Sequence, residues 1–187
     1  PDCIVVYRQY RPNDGSFHKS MTAKEFVDAH KVFGAGGIVV QCMNEPSGYD
    51  DLPKLAAWCA DVMKLAADAE TVLALPNFGV GHPNTDKLAD LAPMWEAFAK
   101  YPMHFYACHE YGTYRGMTYT DDKHDKDVVP WRVGRFRIVT DYVKQHFNID
   151  LMVLVTETGI DSSFYAGDDT KKRGWRDSGL NEVQYAL

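Results

Sequence analysis

The sequence predicts an α/β fold in which helices cover a parallel β-sheet. Two observations predict it. Apolar, β-branched runs typical of strands alternate with segments of helical periodicity, and each interval between strands is long enough for a helix. Because strands joined through helices pair in parallel by right-handed crossovers, the chain should form one continuous βαβ sheet.

The spacing of the strands is the third observation, because it matches the repeat of an eight-unit barrel. The first three intervals are nearly equal, and a (β/α)8 barrel of about 250 residues uses roughly 31 residues for each unit. The last interval is longer because a polar, aspartate-rich loop follows the fourth strand. Five units leave two architectures open: part of a (β/α)8 (TIM) barrel, or a complete five-stranded doubly wound sheet.

Five strands are predicted from apolar runs, at residues 3–7, 37–43, 71–75, 103–108 and 151–156. The stretch Pro76-Asn77-Phe78-Gly79 is expected to end the third strand. The polar stretch at residues 8–20, with Pro12 and Asn13-Asp14-Gly15, is expected to be a loop.

Four helices are predicted from apolar residues at spacings of three and four, within residues 22–34, 52–66, 88–98 and 133–147. Thr22 and Glu25 form a capping box at the start of the first helix. Gly34 is expected to end that helix as its C-terminal cap. Pro93 is expected to interrupt the third helix.

Composition excludes several classes of protein. Hydrophobic residues make up 45% of the chain and charged residues 25%, which is typical of a globular protein. No apolar run approaches the roughly 20 residues of a membrane-spanning helix. The net charge of −6, without a basic stripe, argues against nucleic acid as a partner.

Neither a metal nor another cofactor is predicted. The four cysteines form no CxxC pair, the histidines form no His-x-His or His-Glu-x-x-His pattern, and the aspartate-rich loop lacks the glycine and terminal glutamate of an EF-hand. The cysteines are expected to be buried thiols, which leave the cellular compartment open, secretion included.

Two of the predicted strands end in a glutamate. Glu45 follows the apolar run at residues 39–43, and Glu157 follows the run at residues 151–155. Either glutamate alone has a structural alternative, since acidic residues after strands often cap the next helix. Two carboxyl groups at the ends of parallel strands are what acid/base and nucleophilic chemistry on a glycosidic bond requires.

A third element, His109-Glu110-Tyr111, follows the fourth strand. If the strand continues, His109 and Tyr111 project to the same side. Tyr111 is then placed to donate a hydrogen bond to a neighbouring carboxylate and keep it ionised. The structural alternative is an aromatic lid on the rim of a barrel.

Three short motifs resemble those of the clan A glycoside hydrolases, especially their cellulase-like family 5 branch: Asn44-Glu45-Pro46, His109-x-Tyr111 and Thr156-Glu157-Thr158-Gly159. The resemblance implies a (β/α)8 barrel of which this chain supplies the third to seventh strands. We therefore expect residues 1–187 to be a single partial catalytic barrel domain. The first, second and eighth strands are expected elsewhere in the same, longer protein.

The resemblance also implies residue roles. Glu45 is the general acid/base and Glu157 the nucleophile. Asn44 hydrogen-bonds the sugar hydroxyl next to the reacting carbon. Tyr111 holds Glu157, and His109 lines the substrate cleft.

Two further aromatic residues are candidates for substrate binding. Trp131 and Trp175 lie in the loops after the fourth and fifth predicted strands, on the active-site side of a barrel. They are expected to stack on sugar rings, with anchoring of the loops as the alternative. The chain departs from family 5 where Tyr7-Arg8-Gln9-Tyr10 stands in place of the usual histidine, which leaves the exact family and the sugar open.

The sequence therefore predicts an enzyme, an O-glycosyl hydrolase that cleaves a poly- or oligosaccharide with retention by a two-glutamate double displacement. One alternative is a non-catalytic, carbohydrate-binding barrel. Another is a doubly wound domain with a different ligand at its strand ends.

Overall fold

The computed structural model describes residues 4–9, 16–46, 51–112 and 134–160. Within these ranges, five parallel strands form one curled sheet. The strands are β1 (Val6–Tyr7), β2 (Val39–Gln41), β3 (Leu73–Phe78), β4 (Phe105–Gly112) and β5 (Val153–Ile160). The helices are α1 (Phe17–Ser20), α2 (Ala23–Gly34), α3 (Leu52–Asp68), α4 (Ala92–Lys100) and α5 (Arg135–Phe147), with a 3₁₀ helix (Thr85–Leu91) before α4.

The predicted alternation of strands and helices is confirmed, and the spatial order of the strands is their order in the chain. A doubly wound sheet reverses its order at a switch point, and no reversal occurs among the described strands. The fold is therefore α/β with a curled parallel sheet, compatible with part of a βα barrel. No helix in the described ranges has both the length and the apolar character needed to cross a membrane.

The two faces of the sheet pack differently. Alternate strand residues such as Val40, Leu75 and Tyr106 belong to a large buried core shared with the helices. The residues between them, with Ala74 and Ala107 fully buried, form a small cluster of residues in or beside the strands, without a helix residue. We call this second side the inner face, because the curled sheet has its helices on the other side.

Two predicted boundaries are wrong because strands extend beyond the apolar runs. β4 continues to Gly112 and β5 to Ile160, so that His109, Tyr111 and Glu157 lie within strands and not after them. The extensions pair with each other, with His109 opposite Glu157. Mutual backbone pairing, which the residue pattern of one strand does not reveal, keeps both strands extended.

The predicted end of β3 before Pro76 is also wrong. Pro76 and Asn77 lie inside the strand, which runs on to Phe78. The register with β4 shifts between Pro76 and Phe78, so Asn77 is the extra residue of a bulge with a φ of 61°. A bulge is one of the few places where a sheet accepts proline.

One predicted loop is also partly wrong. Residues 17–20, expected in a loop, form the short helix α1.

The predicted capping box at the start of helix α2 is confirmed. The Thr22 amide donates to Glu25 Oε2 at 2.8 Å and the Glu25 amide to Thr22 Oγ1 at 3.2 Å, which is the expected capping box. Pro93 lies in the first turn of α4, where the preceding 3₁₀ helix gives way to α-helix, as expected of an interruption at that position.

Gly34 ends α2 for a different reason from the one predicted. It is the last helical residue and not a left-handed cap; the left-handed residue is Gly37, with a φ of 71°. A Cβ atom at residue 34 would lie 2.7 Å from the backbone Cα of Thr71. Glycine is therefore required because the end of α2 approaches the backbone at Thr71, just before β3, too closely for a side chain.

We predict that Gly34→Ala lowers the free energy of unfolding by about 1–3 kcal/mol, because backbone must move to make room for the methyl group. Gly36→Ala is the matched control. There the nearest atom outside its chain neighbours, the Phe33 carbonyl oxygen, lies 3.3 Å from the new Cβ, a contact that needs a shift of only a few tenths of an ångström, so the loss of stability should be clearly smaller than at Gly34. Urea unfolding of both variants tests this; equal stabilities would contradict the close approach.

Candidate active site at the carboxyl ends of the strands

The carboxyl ends of the strands bring the predicted catalytic residues together. Glu157 lies in β5 opposite His109 in β4, and Tyr111 is two residues further along β4. Glu45 follows β2, and its side chain is half exposed. His109, whose side chain has no exposed surface, lies between the two glutamates.

His109 contacts both carboxyl groups. Its Nδ1 lies 3.2 Å from Glu45 Oε1, within hydrogen-bond distance, and its Nε2 lies 3.7 Å from Glu157 Oε1. One imidazole ring between the two oxygens limits their separation to at most about 9 Å, a bound that includes the spacing of both retaining and inverting glycosidases.

Glu157 accepts hydrogen bonds at both carboxylate oxygens. The Tyr111 hydroxyl donates to Oε2 at 2.7 Å, and Arg8 Nη1 donates to Oε1. Burial raises the pKa of Glu157, but the Tyr111 hydrogen bond and the charges of His109 and Arg8 outweigh burial and leave the pKa below its ordinary value. Glu157 is therefore an ionised carboxylate at neutral pH.

The contact between Arg8 and Glu157 also measures the curl of the sheet. Arg8 follows β1 and Glu157 lies in β5, the two outermost described strands. In a flat sheet, four strand spacings separate them by about 19 Å, much further than an arginine side chain reaches. The ends of the two strands meet because the sheet curls toward its inner face.

Sequence reasoning noted Arg8 only as a departure from the family pattern and gave it no role. The signal was present: a basic residue directly after a strand, at the same edge of the sheet as two glutamates. Gly79 was also missed. A Cβ atom there would lie 3.1 Å from Glu45 Oε1, so this glycine leaves space for the Glu45 carboxyl group.

Asn44 and Glu45 form a turn after β2. Glu45 has a φ of 43°, in the left-handed region that is uncommon for residues other than glycine, and its amide donates to the Asn77 carbonyl at 3.0 Å. The Asn44 Oδ1 atom is buried and has no hydrogen-bond partner among the described residues. A buried acceptor without a partner among the described residues, directly before Glu45 in the chain, is suited to receive a ligand hydroxyl.

Glu110, between His109 and Tyr111, faces the helices and has a structural role. Its carboxylate accepts from the Gly134 amide at 2.8 Å and from the Phe136 amide at 3.0 Å, and so caps the start of α5. The alternation along β4 thus separates the residue that anchors a helix from the two that face the site.

Two predicted substrate-binding residues, Trp131 and Trp175, lie outside the described residues, as does the aspartate-rich loop. Their roles stay predictions. In the described part of the chain, no group of three or more His, Cys, Asp and Glu residues is arranged to hold a metal ion.

Comparisons with protein-family models, with curated proteins and with solved structures give no match for this chain. The function is therefore argued from the site, because a fold alone supports many chemistries.

We predict that Arg8→Met and Tyr111→Phe each raise the pKa of Glu157. Each removes a group that favours the ionised carboxylate, while burial continues to favour the neutral form. NMR titration of ¹³C-labelled glutamate side chains measures this directly and requires no activity.

Arg137→Met is the matched control for the Arg8 variant, because Arg137 is exposed on α5 and is not among the groups that shift Glu157. Its titration should match the wild type. If Glu157 titrates identically in the Arg8 and Tyr111 variants and the wild type, the two contacts do not hold its charge.

Proposed function

We propose that this chain is the catalytic part of a glycoside hydrolase that cleaves O-glycosidic bonds of a poly- or oligosaccharide with retention. One observation carries the proposal: two glutamates contact the same buried histidine, and one of them is held as an anion by Tyr111 and Arg8. One ionised and one half-exposed carboxyl group at the same cleft can divide the two roles that this chemistry requires.

In the first step, Glu157 attacks the anomeric carbon as its bond to the leaving oxygen breaks, and Glu45 donates a proton to that oxygen. This step gives a covalent glycosyl–enzyme ester and the first product. In the second step, Glu45 removes a proton from water, the water oxygen attacks the anomeric carbon, and Glu157 leaves as a carboxylate. Two displacements at one carbon restore its starting configuration.

Retention is favoured over inversion by the hydrogen bonds of Glu157. The Tyr111 hydroxyl and Arg8 fix one orientation of its carboxylate, as a nucleophile requires. The shared histidine does not choose between the two mechanisms, because its bound on the carboxyl separation includes both the roughly 5–5.5 Å of retaining enzymes and most of the roughly 6.5–9.5 Å of inverting enzymes.

The unpaired edges of the sheet favour a barrel that further strands of the same protein complete. Of the described strands, β1 and β5 each pair on one side only. Ile4 and Val5, beside β1, are more than half exposed, and Val155 in β5 is partly exposed. A closed barrel has no edges and covers such residues, so we propose that three additional strands close a (β/α)8 barrel.

We predict that Glu45→Gln lowers kcat by about 10²–10⁴-fold in the full-length protein, since it removes the group that transfers the proton. Glu157→Gln should cost at least as much, because no covalent intermediate forms. Hydrolysis of α- and β-linked 4-nitrophenyl glycosides and of polysaccharides measures both effects. Glu96→Gln on the exposed side of α4 is the matched control and should keep full activity.

Azide separates the two roles. In Glu157→Gly, azide should attack from the vacated side and give a glycosyl azide of inverted configuration; in Glu45→Gly, it should attack the glycosyl–enzyme and give retention. Full activity in either glutamine variant would refute the assignment. Binding of an oligosaccharide that the wild type never cleaves would favour the non-catalytic alternative.

A further inference from the structure

Strand β3 contains a bulge at Asn77. Pro76 pairs with Ala107 on β4, and the next pair is Phe78 with Cys108, so two residues of β3 advance against one of β4. Asn77 is fully buried and has a φ of 61°. The bulge changes the side to which the following residue points, and Phe78 accordingly joins the core beneath the helices.

Strand β5 contains a second bulge at the same level, on the other side of β4. Cys108 pairs with Val155, and the next pair is His109 with Glu157. Thr156 therefore has no partner in the register and is the extra residue of β5. The two bulges thus lie opposite consecutive steps of β4, the first opposite Ala107 to Cys108 and the second opposite Cys108 to His109.

The bulge at Thr156 determines where Glu157 points. Leu154 lies on the inner face, against the small cluster of strand residues. With regular alternation the next inner residue would be Thr156, and Glu157 would point toward the helices. The extra residue reverses the alternation, so that Glu157 lies opposite His109 on the inner face.

The side chains of the two bulge residues hydrogen-bond to each other. Thr156 Oγ1 donates to Asn77 Oδ1 at 2.9 Å, and Asn77 Nδ2 donates to the Ala74 carbonyl at 3.0 Å. The second bond fixes the amide orientation, because only its nitrogen can donate to a carbonyl. The Asn77 carbonyl also accepts from the Glu45 amide at 3.0 Å. Asn77 therefore contacts the backbone of one glutamate and the residue before the other.

We propose that Asn77 and Thr156 form a positioning pair that sets the direction of Glu157 and the backbone position of Glu45, and hence the geometry of the two carboxyl groups. Neither side chain is assigned a contact with substrate; each acts through the backbone of a glutamate. This inference rests on the proposed function for its kinetic consequence, but its structural consequence is independent of activity.

The direct test is Thr156→Val, which keeps the shape and β-branching of threonine and removes only the hydroxyl donor. We expect kcat to fall by roughly 10²-fold with little change in KM, because misplacement of a catalytic group by about 1 Å has an effect of that size. Thr156→Ser, which keeps the hydroxyl, should restore most of the activity. Thr140→Val removes a hydroxyl that donates to the Arg137 carbonyl within α5 and is the matched control.

A second readout separates this inference from the proposed function. In the ¹³C titration, the pKa of Glu157 in Thr156→Val should rise toward its ordinary value as the Tyr111 and Arg8 contacts loosen, while the Thr140→Val titration matches the wild type. If the wild type hydrolyses no glycoside, the proposed function fails, and the titration still tests the pair. If folded Thr156→Val keeps both its kcat and the wild-type titration, the pair has no positioning role. Thr156→Ala replaces the valine variant if that variant does not fold.

Discussion

The ion pair between Arg8 and Glu157 joins the two outermost described strands, and it exists only because the sheet is curled. Parallel pairing in chain order places all five carboxyl ends at one edge. Curling then turns that edge into a cleft, where residues 149 positions apart in the chain meet. Glu45, His109 and Tyr111 lie at the same edge, where His109 contacts Glu45 and Tyr111 donates to Glu157.

The partly buried carboxylate of Glu157 is stabilised by hydrogen-bond donors, the Tyr111 hydroxyl and Arg8. Burial alone would favour the neutral acid, and the Tyr111 hydroxyl and the nearby positive charges reverse that preference. Glu45 has no comparable set of donors among the described contacts and is more exposed, so the two carboxyl groups have different surroundings. Such differences are how one cleft assigns distinct roles to two chemically identical side chains.

Much of the architecture was predictable, because apolar runs and helical spacing report which residues are buried. The glutamates, His109 and Tyr111 were found because these polar residues come at the ends of apolar runs in the sequence. The bulges at Asn77 and Thr156 were not predictable, since alternation along one strand does not reveal its register with the next. Thus Glu157 was expected beyond its strand, whereas it lies within it and faces inward through a register shift.

Other misses have causes that lie far away in the sequence. The Arg8 side chain extends across the cleft to Glu157, and this contact is possible only because the whole sheet is curled. The need for glycine at Gly34 comes from Thr71, which lies in the connection between α3 and β3. Sequence patterns report burial well, but they do not report which distant backbone will pass close by.

The most direct test is to identify the residue that becomes covalently glycosylated. The full-length protein would be incubated with a panel of 2-deoxy-2-fluoroglycosyl fluorides, which form the glycosyl–enzyme faster than they release it, and then digested for peptide mass spectrometry. A retaining mechanism of this geometry predicts a single adduct on Glu157 that Tyr111→Phe forms more slowly. An adduct on Glu45 or another residue, or hydrolysis of a glycoside with inversion and no adduct, would contradict it.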